Sequence, residues 1–162
     1  MKKNTKSKNK ILYIDMDGTL TEFRHKDKVT IDDWEDKDIF AYPEICTSTI
    51  IGICDKIHMK EEPFNKIDKI YIITQVPYTN YTHHCKNKKE TYDVISAIFW
   101  KKAIELDGII FVNTEKYENK VMYIINQQPL NMENYILIDD THSLLREFEL
   151  LGGTAYHVSS FL

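Results

Sequence analysis

Ile11-Leu12-Tyr13-Ile14-Asp15-Met16-Asp17-Gly18-Thr19-Leu20 is the stretch whose reading decides the fold. Four consecutive apolar residues without helical gaps suit a short strand covered on both faces of a parallel sheet. Two carboxylates one residue apart follow it, and acids at the end of a buried strand are costly unless a cation sits with them. Side chains alternate along a strand, but Gly18 lets the chain curl, so that a side chain and a nearby backbone carbonyl can face one ion. Hard oxygen ligands with room left for water suit Mg²⁺. The competing reading of Asp17-Gly18 as a plain turn or helix cap loses weight because a strand precedes it.

Further strand-like runs occur at Ile70 to Ile73, Ile109 to Val112, Ile136 to Ile138 and Ala155 to Val158. Helix-compatible stretches separate the five runs, at Glu44 to Lys60, Glu90 to Leu106, Glu118 to Asn126 and Ser143 to Leu151. Such alternation predicts an α/β fold: a Rossmann-like, doubly wound, mostly parallel sheet of about five strands with right-handed crossovers. Residues 21–43 break the pattern. They are charged and aromatic, with Phe23, Trp34, Phe40 and Tyr42 among them, and are expected to form a small cap or flap over the open end of the sheet.

The chain has 162 residues, 43% hydrophobic and 28% charged, which fits one soluble domain with a sizeable core. Residues 11–162 are expected to be that domain. Residues 1–10 carry five lysines among polar residues and read as a disordered basic tail without the apolar region of a signal peptide. Leaving those lysines out takes the net charge from −4 to −9. An acidic body argues against an extended nucleic-acid groove, though not against a local phosphate site. No run approaches the roughly 20 apolar residues of a membrane span. Cys46, Cys54 and Cys85 form no CxxC pair and read as free thiols of a cytoplasmic protein. His83-His84-Cys85 lacks a partner pair at zinc-ligand spacing and is expected in a solvated loop.

Ligands of an open parallel sheet bind beyond the carboxyl ends of its strands. There the second strand offers Thr74 and Gln75, a hydroxyl and backbone N–H groups suited to an oxyanion, and the fourth offers Asp139-Asp140. Four acids at one sheet edge repel unless a divalent cation and a lysine neutralise them. Lys120, at the start of the helical stretch before the fourth strand, is best placed; Lys116 competes, and Lys102 more weakly.

Together these residues resemble the haloacid dehalogenase (HAD) superfamily of phosphatases, with Asp15-Met16-Asp17-Gly18-Thr19, Thr74, Lys120 and Asp139-Asp140 as its four motifs in order. The resemblance implies Asp15 as nucleophile forming an aspartyl phosphate and Asp17 as general acid and base. Thr74, Gln75 and Lys120 would bind phosphate. Mg²⁺ would be held by Asp15, the backbone carbonyl of Asp17, and Asp139, with Asp140 in support. Asp15 to Phe23, Leu137 to Asp140 and the Gly-Gly-x-Ala-Tyr-His-Val end look most like the 5′(3′)-deoxyribonucleotidases. That likeness implies a nucleoside monophosphate substrate, with Phe23, Trp34, Phe40 or Tyr42 stacking on the base. The insert is short for that family's cap, and Thr141 stands where arginine is common. An open site would also admit polynucleotide 3′-phosphate ends, as the similar motifs in the phosphatase domain of bacteriophage polynucleotide kinase suggest, or a phosphoprotein. A catalytically idle phosphate-binding or regulatory domain is the rival of another class, and the sequence is compatible with a homo-oligomer.

Overall fold

The computed structural model describes residues 10–23, 36–127 and 129–162. Five strands form one parallel sheet: β1 (Lys10–Asp15), β4 (Ile67–Val76), β5 (Gly108–Asn113), β6 (Tyr135–Asp139) and β7 (Thr154–His157), in the order β5-β4-β1-β6-β7. Helices α1 (Thr47–Met59), α2 (Tyr81–Lys101), α3 (Lys120–Gln127) and α4 (His142–Leu150) link them.

Alternation along β1 sorts the core into two layers. Leu12 and Ile14 point to one face, where Ile50 and Ile53 of α1 and Ile95 and Phe99 of α2 cover them. Tyr13 points to the other, towards Val121 and Ile124 of α3 and Leu145 and Phe148 of α4. Helices on both faces make the fold a doubly wound Rossmann-like α/β fold, as the sequence pattern predicts. The order of strands reverses at β1, which lies between β4 and β6. That reversal opens a crevice beyond the carboxyl ends of β1 and its neighbours, the usual ligand position in such sheets.

Several boundaries differ from the sequence expectations. Lys10, expected in the tail, begins β1 and donates from Nζ to Asn65 Oδ1 at 2.9 Å; residues 1–9 lie outside the described residues. Glu44 and Ile45, expected to open a helix, form β3 (Glu44–Ile45), which pairs antiparallel with β2 (Thr21–Glu22). These strands close the two ends of the insert at the sheet edge. Helix α2 begins at Tyr81, nine residues before the expected Glu90, so His83, His84 and Cys85 lie on a helix and not in a solvated loop. His84 is fully buried, and its ring meets Phe40 edge-on at 5.0 Å. The apolar face of α2 starts with a histidine and a lysine, and those residue types hide the helical period. Among the described residues no helix is long and apolar enough to cross a membrane.

Candidate active site

The turn after β1 is built on one carbonyl. Met16 O accepts the backbone N–H groups of Thr19, Leu20 and Thr21, which curls the chain directly beyond Asp15. Gly18 sits in this curl at φ +83°, a backbone region that side chains disfavour. A Cβ there would lie 2.3 Å from Asp140 Oδ2, so the glycine also makes room for the second acidic pair.

Asp15 is 3% exposed. Its Oδ1 accepts from Lys120 Nζ at 2.5 Å and its Oδ2 from Thr19 Oγ1 at 3.0 Å. Lys120 also donates to Asp139 Oδ2 at 2.8 Å, and Asp139 Oδ1 takes the Thr141 N–H at 2.9 Å. Asp139 is wholly buried, whereas Asp140 faces the cleft. Asp15, Asp139 and Asp140 each bring a carboxylate oxygen within 4.8 Å of the others. His157 Nε2 lies 3.2 Å from Asp140 O and its ring stacks on His142 at 4.4 Å, which braces the loop after β6.

Three ionised carboxylates around one lysine leave a deficit of two positive charges. The electrostatics carry its mark. Burial pushes the Asp15 carboxyl well above the usual carboxylate range, Asp139 adds to the rise, and Lys120 offsets only part of it. Burial raises Asp140 as well, with a hydrogen bond to Asp15 opposing and Asp139 reinforcing the rise. Burial alone would lower Lys120, but Asp15 and Asp139 outweigh it and hold the ammonium above the ordinary lysine value. An all-oxygen, doubly under-neutralised cluster of this size fits a hard divalent cation such as Mg²⁺.

Asp17 and Thr74 meet on the far side of Asp15 from β6. Thr74 lies within β4 and not at its end, is fully buried, and donates from Oγ1 to Asp17 Oδ2 at 3.3 Å. Lys88 of α2, which sequence reasoning missed, reaches both: its Nζ donates to Thr74 Oγ1 at 2.7 Å and to Asp17 Oδ2. The available signal was its position, since Lys88 shares the buried face of α2 with His84, Thr91, Tyr92, Ile95 and Phe99. A lysine on an apolar stripe needs an acid partner.

Gln75 lines the cleft, and its Oε1 accepts the backbone N–H of Lys120 at 3.2 Å, which ties the start of α3 to β4. Asn119 Oδ1 accepts the Met122 N–H at 3.0 Å and steadies the same turn. Lys116 and Lys102 are both exposed and contact none of the site acids among the described residues, so of the three lysines weighed from the sequence it is Lys120 that reaches Asp15 and Asp139. The cleft, about 470 Å³, has Asp15, Asp17, Lys120 and Asp140 at its base and Phe23 and Phe40 of the insert on one wall. Those rings are 5.7 Å apart. Tyr42 is 76% exposed and lines a separate surface hollow with Asp36 and His83, away from the acids. Trp34 lies outside the described residues.

No protein-family model matches this chain, and no curated protein does. Solved structures do. One is a chain of the Pnkp1/Rnl/Hen1 complex, at 13% identity and TM-score 0.54, over 94% of this chain and 46% of that one. Others are D,D-heptose 1,7-bisphosphate phosphatase from Burkholderia thailandensis, at 11% identity and TM-score 0.41 over 90% of this chain and 75% of that one, and a HAD family enzyme from Bacteroides thetaiotaomicron. The latter is an aspartate-to-alanine mutant in complex with magnesium and inorganic phosphate, at 11% identity and TM-score 0.42 over 92% of this chain and 93% of that one. The first likeness is one of fold. This chain spans less than half the length of that chain.

Proposed function

We propose that residues 11–162 form one HAD-type phosphatase domain that hydrolyses phosphate monoesters through Asp15, with nucleoside monophosphates as substrate. One observation carries this reading: Asp15, buried at the end of β1, is fixed by Lys120 and Thr19 beside Asp17 and the Asp139-Asp140 pair. A nucleophilic carboxylate at the floor of a cleft, with a fixed ammonium beside it, suits displacement at a phosphorus atom.

The residues present fit Mg²⁺. Asp15, Asp139 and Asp140, whose carboxylate oxygens lie within 4.8 Å of one another, would be its side-chain ligands, with the Asp17 carbonyl as a further one. When bound, the ion supplies positive charge for the phosphoryl oxygens.

In the first half-reaction an Asp15 oxygen bonds to phosphorus and the bond to the ester oxygen breaks. The bonding pair leaves with that oxygen, which takes a proton from Asp17. In the second, water gives a proton to Asp17 as its oxygen bonds to phosphorus. The bond to Asp15 then breaks, and the carboxylate and inorganic phosphate are restored. Lys120 holds Asp15 in line and carries charge next to the transferring group.

The aromatic wall supports a nucleotide, because Phe23, backed by the buried Phe40, flanks the cleft that holds Asp15 and offers a base an apolar face. Activity with Mg²⁺ on a panel of 5′- and 3′-nucleoside monophosphates, 3′-phosphorylated oligonucleotides and a phosphopeptide tests the assignment. Preference for mononucleotides supports it; preference for oligonucleotide ends or phosphopeptide replaces the substrate and keeps the chemistry. No turnover of any ester contradicts the chemistry and leaves a domain that only binds phosphate.

A further inference from the structure

Among the described residues, Lys88 is the most deeply buried lysine or arginine that the chemistry above does not use. It is 1% exposed, it does not line the cleft, and it emerges from the middle of α2 on the sheet face of that helix. Taking an ammonium out of water costs several kcal/mol unless its donors are matched. Here the partners are specific. Nζ donates to Asp17 Oδ2 and to Thr74 Oγ1, and it lies 3.9 Å from the centroid of the Phe40 ring. Thr74 Oγ1 in turn donates to the same Asp17 oxygen. One carboxylate oxygen of Asp17 is therefore held from β4 and α2 at once.

We propose that Lys88 is a positioning residue, which fixes the Asp17 carboxylate towards the leaving-group side of the cleft and ties it, through the Phe40 face, to the insert. The proposal rests on the phosphatase reading, since only there does Asp17 move a proton. Asp17 lies within the turn, directly before Gly18, and its side chain is 23% exposed. A short side chain in that setting has several rotamers unless one oxygen is pinned. With Oδ2 taken by Lys88 and Thr74, Oδ1 is left to meet the ester oxygen. Lys88 itself stays out of reach of the substrate, with Asp17 and Phe40 between it and the cleft. The cation and the ring attract each other at this distance, so the flap wall and the acid share one anchor.

The test compares two substrates in one protein preparation. An alkyl phosphate needs its departing oxygen protonated, whereas p-nitrophenyl phosphate leaves readily without help. Misplacing a general acid therefore penalises the first far more than the second. The readout is the ratio of kcat/KM for the alkyl ester to that for the aryl ester. That quantity covers steps only as far as transfer to Asp15, and the ratio is independent of the fraction of protein that is folded.

In Lys88→Met the ratio is expected to fall about 100-fold. Lys88→Gln, which can still donate to Asp17, is expected to give an intermediate ratio. With the aryl ester Lys88→Met should also release a stoichiometric burst of p-nitrophenol, because slow water activation leaves phosphate on Asp15. An unchanged ratio in Lys88→Met, with the wild type active on both esters, overturns the positioning role and leaves the phosphatase reading intact. A wild type inactive on these esters and on every nucleotide, oligonucleotide and phosphopeptide of the panel above overturns that reading and this role together.

Discussion

Lys120 Nζ lies 2.5 Å from Asp15 Oδ1 and 2.8 Å from Asp139 Oδ2, so one buried ammonium joins the ends of two adjacent strands, β1 and β6. This contact is both electrostatic and architectural. It gives Asp15 a fixed direction and it leaves Asp140 free to face the cleft.

Lys120→Met tests the contact. Removing one partner of a buried ion cluster leaves uncompensated charge, typically at a cost of about 3–5 kcal/mol. Chemical denaturation without divalent ions should show a loss of that order, and saturating Mg²⁺ should recover part of it. A loss below about 1 kcal/mol would mean that the cluster is solvated.

Gly18→Ala addresses the turn. The substitution meets Asp140 Oδ2 at 2.3 Å and a positive φ, so it should cost about 1–2 kcal/mol of stability. Displacement of Asp140 should also raise the Mg²⁺ concentration needed for half-maximal activity. An unchanged Mg²⁺ titration curve would remove Asp140 from the ligand set.

The pH dependence of the metal-free protein follows from Asp15. Its carboxyl titrates near 3.8 in an unfolded chain and well above that in the fold, because burial and Asp139 raise it. Between those values the folded chain binds the extra proton, so stability falls as pH rises through the window. Asp140 acts in the same sense. Lys120 is raised above its ordinary 10.5, so its contribution is complete below that pH and does not vary here. Melting temperatures in chelator should therefore decline from pH 5 to pH 8, and Asp15→Asn should flatten the decline, with about 2–4 °C gained for each kcal/mol of relief. Parallel curves for the two proteins would contradict the raised value.

Phe23→Ala examines the aromatic wall. If the ring stacks on a base, loss of about 1–3 kcal/mol of binding should raise KM for a nucleoside monophosphate by roughly 5- to 150-fold. KM for a small alkyl phosphate should stay within a few-fold. Equal effects on both substrates would place the base elsewhere.

Much of this arrangement was legible in the sequence. The runs at Ile11–Ile14 and Ile136–Ile138 are continuous because both strands are covered on two faces, and the acids that follow them mark the open sheet edge. Lys120 was legible as the lysine beginning the preceding helix. What escaped depended on partners remote in sequence. Lys88 is 71 residues from Asp17, and a lysine on a helix ordinarily means a solvated face. Thr74 was expected to face an oxyanion, yet its hydroxyl lies between Asp17 and Lys88, a contact that no local pattern encodes. Asp139 and Asp140 are neighbours with opposite surroundings, one enclosed by Lys120 and Thr141, the other open to the cleft. Alternation along the chain separates such a pair, and only the packed fold shows which of them faces inward.

The central claim is that Asp15 carries the phosphoryl group. The direct measurement is rapid acid quenching during turnover of a phosphate ester with Mg²⁺, followed by peptide mass spectrometry. One phosphoryl group is expected on the peptide containing Asp15, absent in Asp15→Asn, whose turnover falls by at least about 10³-fold. Turnover that persists in Asp15→Asn, or a phosphoryl group found on another side chain, would contradict it.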